Sequence, residues 1–322
     1  MKEMSRMAIN NKNLSGTASA LAGGICWGFS GTCGQYLFSE KGVDSDWLSA
    51  VRMLSAGIIL LGFAFFRQRQ SLAGIIKDKK DRKQLLLFGV FGLMICQYTY
   101  LTAISHSNAG TATVLQYTGL VILMIVTCVK FRRRPESLEA VALVLAVTGI
   151  FLLATQGNPG KLHISGQALS WGMFSAVGLV LYSILPIRLI SRWGSMVVTG
   201  YGMLAGGIVL SAIVRPWEYV FQPDAVTIIA MAAIILIGTV AAFTLYLKGV
   251  SEIGPVKAGM LGSAEPVSAA VFAAIWMHTR FTAADITAFV LIIATVFLLT
   301  GKRKKIGAIE KIGNKKRKYE RE

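Results

Sequence analysis

Ten apolar segments dominate this sequence of 322 residues, each close to the ~20 residues that an α-helix needs to cross a bilayer. They run over 16–38, 47–66, 84–104, 109–129, 138–155, 165–187, 195–214, 225–247, 256–277 and 284–300. Hydrocarbon offers no partners to backbone polar groups, so such runs predict helices that close their own hydrogen bonds. The third and fourth are separated only by Ser105-His-Ser-Asn108, and the sixth is interrupted by Pro186. Composition agrees: 54% of the residues are hydrophobic, 15% are charged, and the mean hydropathy is +0.59. Soluble domains carry ~25% charged residues. The first run follows Lys2, Arg6 and Lys12, as a signal peptide would. It is longer than the usual apolar core of such a peptide and carries Trp27, Tyr36 and Phe38, so it reads as a retained span.

Charge placement orders the spans. With ten of them both termini share one face, and 28 of the 33 Lys and Arg then fall on that face. Lys41, Lys161, Arg215 and Arg280 fall on the other, and Arg52 lies inside the second span. Basic residues gather on the cytoplasmic side, which predicts cytoplasmic N and C termini. This accounts for the net charge of +17 without nucleic acid. The tail that holds Lys302-Arg-Lys-Lys305 and Lys315-Lys-Arg-Lys318 is expected to meet anionic lipid head groups.

The two halves resemble each other. Met53-Leu54 and Gly57-Ile58 recur as Met203-Leu204 and Gly207-Ile208, a shift of 150. Tyr100-Leu101, Ala112 and Phe151-Leu-Leu153 recur as Tyr246-Leu247, Ala258 and Phe297-Leu-Leu299, a shift of 146. Five spans per half insert the second half upside down relative to the first, the inverted repeat of many secondary transporters. The division expected is a tail at 1–15, a first repeat at 16–156, a turn-rich link at 157–163, a second repeat at 164–301 and a basic tail at 302–322.

At this point the chain resembles the EamA-type members of the drug/metabolite transporter superfamily, over about 14–302. The resemblance rests on Trp27-Gly28, Arg52, Ala109-Gly-Thr-Ala112, Gly149-Ile-Phe-Leu-Leu153 and Ala264-Glu-Pro266. It implies an all-helical fold of two five-helix repeats around a central cavity. It also implies transport, often export, of small metabolites such as amino acids. One departure stands out. Family members often carry a proline in span four, where this chain has Leu120. The bend that Pro266 brings to span nine is therefore not assured in span four, although Gly119 supplies local freedom.

Ionisable groups inside spans are costly and usually face a cavity or a partner. Glu265 lies about 13 Å into span nine, and Arg52 about 8 Å into span two from the opposite face. In a hydrocarbon layer of ~30 Å this leaves a gap in depth of ~9 Å, which a long Arg side chain can nearly close if the two spans adjoin. Glu265 is read as a coupling or gating carboxylate, with a simple helix-pinning pair as the plainer alternative. Pro266 withdraws a hydrogen bond from the carbonyl of Gly262, which then needs a partner. Gln97, Gln116, Tyr117, Trp27, Trp171 and Tyr182 complete the candidate lining, because pockets combine aromatic walls with a few placed polar groups. Glu139 and Asp285 sit near span ends and read as interfacial.

Other functions find less support. His106, His163 and His278 share no motif, and Cys26, Cys33, Cys96 and Cys128 lack metal spacing, so neither a cofactor nor membrane enzymology is indicated. No repeat of the kind that builds an ion filter appears, which disfavours a channel. No G-x-x-x-x-G-K-[ST] loop is present, so the expected energy source is a substrate or proton gradient rather than ATP.

Overall fold

A computed structural model describes residues 2–158, 160–219 and 223–301. The chain is an all-helical, polytopic membrane protein. The helices are α1 (Lys2–Ser39), α2 (Ser45–Arg67), α3 (Arg69–Lys77), α4 (Lys79–Ser105), α5 (Ala109–Lys130) and α6 (Ser137–Thr155). There follow α7 (Gly166–Ile184), α8 (Ile187–Trp193), α9 (Ser195–Val214) and α10 (Ala225–Ile253). The last are α11, made of Pro255–Gly262 and Ala264–Trp276, and α12 (Ala283–Gly301). Eight of them are long and apolar enough to cross a membrane. Large side chains such as Ile58, Val144, Ile228 and Ile275 point outward and exposed, as a lipid-facing surface requires.

Several boundaries differ from the sequence reading: α1 begins at Lys2, inside the tail expected at 1–15, and α10 runs on to Ile253 rather than ending at 247. The stretch 67–83 is not a plain loop: it holds α3 and the first turn of α4. The sixth segment stops at Ile184 rather than continuing to 187, and Pro186 caps the short helix α8. Proline has no N–H to donate and crowds the preceding turn, so the chain restarts there. The basic tail at 302–322 lies outside the described residues.

The main packing pairs are α2 with α9, α6 with α12, α1 with α10, and α4 with α7. Next come α1 with α11 and α5 with α7. Exchanging α1, α2, α4, α5 and α6 for α7, α9, α10, α11 and α12 leaves this set unchanged. The recurring Met-Leu-x-x-Gly motif shows how. A Cβ on Gly57 would lie 2.7 Å from the backbone nitrogen of Leu204, and one on Gly207 would lie 3.0 Å from that of Leu54. Each copy of the motif seats the other, and only glycine allows helices this close.

The face that carries α3 and α8 has a polar anchor. Asp81 is fully buried and accepts from Arg188 at 2.8 Å, Arg192 at 2.7 Å and Trp193 Nε1 at 2.7 Å. Asp78 caps α4 and also takes Arg192 at 2.8 Å. At a shift of 146, Asp224 caps α10 and pairs with Lys41 at 2.7 Å on the opposite face.

Candidate functional site

The two helices that carry the small-residue and Ala-Glu-Pro motifs are both broken at mid-length. In α11 the break falls at Ser263, one turn before the chain passes Pro266. In α5 it falls at Thr118, although no proline is nearby. The kink left open by Leu120 is therefore present. Thr118 Oγ1 turns back there to the Leu115 carbonyl at 2.6 Å, and a Cβ on Gly119 would run into the carbonyl oxygen of Ala176 on α7. On the other side Gly28 of α1 lies against the α11 break, where a Cβ would stand 2.8 Å from the Glu265 carbonyl oxygen.

The breaks meet through one phenol. Tyr117 Oη donates to Glu265 Oε2 at 3.0 Å and lies 3.2 Å from the carbonyl oxygen of Gly262. That carbonyl is the one Pro266 leaves without its helical donor. A hydroxyl has a single proton, so it cannot serve both acceptors fully. With Glu265 ionised, the proton goes to the carboxylate. With Glu265 protonated, the carboxyl can donate to the phenol oxygen and the phenol to Gly262. The geometry thus links the proton on Glu265 to the hydrogen bonding of the helix break.

Arg52 is 5% exposed, and its Nε donates to Thr239 Oγ1 at 3.3 Å. Thr239 sits in a π-helical turn of α10, Leu236–Ala241, and its hydroxyl also reaches the carbonyl of Ile234. A second π-helical turn, Phe88–Met94, occupies the matching part of α4. Such turns often accompany functional sites. No ion pair within 4.0 Å joins Arg52 to Glu265 among the described residues. The close pair contemplated from depth alone is not formed: α2 packs mainly on α9, and α10 rather than α11 brings a partner to Arg52.

A cavity of about 540 Å³ opens on the α3 face, lined by Phe88, Tyr182, Pro186, Ile190, Tyr246 and Val250 among others, and the Tyr246 ring lies against Gly262 at the α11 break. Tyr182 stacks on Phe88 with centroids 6.0 Å apart. Trp27 packs on Phe243 at 5.3 Å and on Tyr246 at 5.0 Å. Gln116 is buried and donates to Cys96 Sγ at 3.6 Å. Trp171 instead packs edge-on against Tyr98 at 5.7 Å, away from the cavity lining. Gln97 is half-buried and does not line it either; of the candidate residues Tyr182 alone does, among the described residues, while Trp27, Arg52, Gln116, Tyr117 and Glu265 stand outside the lining. Glu139 is held by Arg133 in a bidentate pair at 2.7 and 2.8 Å. Asp285 receives Thr282 at the start of α12.

Three participants escaped the sequence reading. Thr239 carries no signal, because threonine in a helix can bond its own turn. Tyr246 appeared only as a repeat match. Gln35, an amide inside the first apolar run, was visible but had no partner in sequence.

The EamA-like transporter family matches residues 14–155 and 166–301, nearly the whole described chain. The chain belongs to the EamA-like transporter family. It is 37% identical over 285 residues to an uncharacterized inner membrane transporter, YicL of Salmonella typhimurium, covering 88% of this chain and 95% of that one. It is 24% identical over 264 residues to the inner membrane transporter YedA of Escherichia coli K12, with 76% and 77% covered. A solved crystal structure at 16% identity covers 91% of this chain and 98% of its own, with a TM-score of 0.61, which extends the likeness to the fold. Membership makes this protein a multi-pass membrane transporter of the cell membrane.

Proposed function

We propose that this EamA-family transporter is a ten-span secondary carrier built as two inverted repeats, with both termini cytoplasmic. It moves a small metabolite, an amino acid or related compound, out of the cell by alternating access. The observation that carries the reading is the Tyr117–Glu265 hydrogen bond, which joins the broken helices of the two halves beside an aromatic cavity. The α3 face is the cytoplasmic one, by its basic loops. The 302–322 tail meets anionic head groups, and no nucleic-acid partner is invoked.

Alternating access follows from the exchange of halves. On the face opposite α3, α1 packs against α4 and α5. On the α3 face, α7 and α10 stand on either side of the cavity through Tyr182 and Tyr246. Exchanging the two arrangements closes the cavity and parts α1 from α4 and α5, which exposes the same centre to the other side. Glu265, Tyr117 and Arg52 supply its polar groups; Trp27, Tyr182 and Gln116 shape its walls.

Metabolite profiling of cells that overproduce the protein, against cells that overproduce Glu265→Gln, tests this. The expected result is one or a few compounds enriched outside the cell only with the unaltered carboxylate. Equal flux by Glu265→Gln at every pH tried would remove Glu265 from the mechanism.

A further inference from the structure

Gln35 lies in the last turns of α1 and is 8% exposed. Its amide is used at both ends. Oε1 accepts from the backbone N–H of Ala109, the first residue of α5, at 2.9 Å. Nε2 donates to Thr279 Oγ1, between α11 and α12, at 3.0 Å. One side chain thus ties three elements together on the face opposite α3. It does so beside a packed cluster that includes Cys33, Leu37, Leu101 and Ile104. Parting α1 from α5 there gives up both hydrogen bonds and opens the packed cluster to water, which is costly.

The other half cannot build this bridge. The shift of 150 that aligns Met53 with Met203 puts Leu185 in place of Gln35. The shift of 146 that aligns Ala112 with Ala258 puts Pro255 in place of Ala109. Leucine has no amide and proline has no backbone N–H, so acceptor and donor are both missing. Leu185 instead joins the apolar cluster around Leu189, and its carbonyl takes the Gln84 amide at 2.8 Å.

The geometry points to Gln35 as the bolt of the gate on the face opposite α3, with no equivalent amide bridge on the α3 face among the described residues. The carrier therefore rests open toward α3, and turning over requires two hydrogen bonds to break. This rests on the alternating-access reading above.

Cys33, 1% exposed and two residues from Gln35, is a native reporter. The measurement is the rate at which a small membrane-impermeant methanethiosulfonate, added from outside to vesicles holding the full chain, modifies Cys33, read by peptide mass spectrometry. Gln35→Leu is expected to raise that rate roughly ten- to thirtyfold, the effect of two lost hydrogen bonds. Thr279→Val, which keeps the Ala109 contact, is expected to raise it roughly fivefold. An unchanged rate in Gln35→Leu overturns the bolt. If that variant does not reach the membrane, an unchanged rate in Thr279→Val does the same. A Tyr182→Cys, Tyr246→Cys pair, closed by a short bifunctional thiol reagent, separates the two ideas. If closing the cavity leaves Cys33 protected in chains that retain Gln35, and Gln35→Leu does not unmask it, alternating access itself falls. If closing the cavity exposes Cys33 but Gln35→Leu alone does not, only the bolt falls.

Discussion

Helices α5 and α11 occupy equivalent places in the two halves and break at nearly the same point by different means. In α11 the cause is local: Pro266 withdraws the donor that Gly262 needs. In α5 no proline is involved: Thr118 Oγ1 turns back to the Leu115 carbonyl at 2.6 Å, and Gly119 is pressed against the carbonyl of Ala176 on α7. The chemistry then divides. One break supplies a carboxylate, Glu265, and the other a phenol, Tyr117, and these meet at 3.0 Å. A two-fold arrangement of backbones thus holds a site with no two-fold symmetry in its functional groups.

Removing the phenol tests that division most severely. Tyr117→Phe leaves the Gly262 carbonyl and Glu265 without their shared donor, and unfolding in detergent should show a loss of about 3 kcal/mol. The same variant should lose the pH dependence of flux, because the phenol is what links the carboxyl proton to the helix break. Gly119→Ala probes the contact with α7. Its methyl meets backbone rather than a movable side chain, and a loss of about 2 kcal/mol is expected by the same measurement.

Pro266→Ala acts in the opposite direction. It restores a backbone donor for Gly262, so a gain of up to about 1 kcal/mol is expected, with Tyr117 then free to serve Glu265 alone. A loss of stability instead would mean that the proline ring itself is packed into the centre. The smallest effect is expected at the repeat-related caps. Its hydrogen bond from Lys41, and then those from Thr227, hold the Asp224 carboxyl well below the usual carboxylate range. A depressed folded-state value means that its contribution is fully present above the unfolded value of about 3.9 and is lost only as the pH falls below that. The melting temperature of Asp224→Asn should therefore differ from that of the parent by a small, constant amount between pH 5 and about pH 9. The difference should narrow in stronger acid. Because Asp224 is solvent-exposed, added salt should shrink it too.

How much of this was legible in the chain differs by residue. The helical class follows from apolar run length, the relation of the two halves from their recurring motifs, and the choice of Glu265 and Pro266 as candidates from the cost of a carboxylate and a missing N–H in lipid. The partner of the Gly262 carbonyl was predictable as a need but not as Tyr117, which sits 145 residues away. Arg52 was legible as a buried charge, and depth alone suggested Glu265 for it. Depth does not say which helices adjoin, and α10 brings Thr239 there instead. Asp81 was hidden because a stretch dense in Lys and Arg reads as loop, while the fold folds it back onto α8.

The sequence by itself determined that this protein lives in a membrane as packed helices, that its halves are related, and that a carboxylate beside a proline marks the ninth apolar segment. These are consequences of burial and backbone satisfaction, which act along the chain. Only the tertiary structure decided that the fourth segment breaks without a proline, that a phenol from one half completes the break in the other, and that Gln35 bridges three elements while Leu185 cannot. Those outcomes depend on which helix surfaces come within hydrogen-bonding distance, and that is set by close packing between segments far apart in sequence.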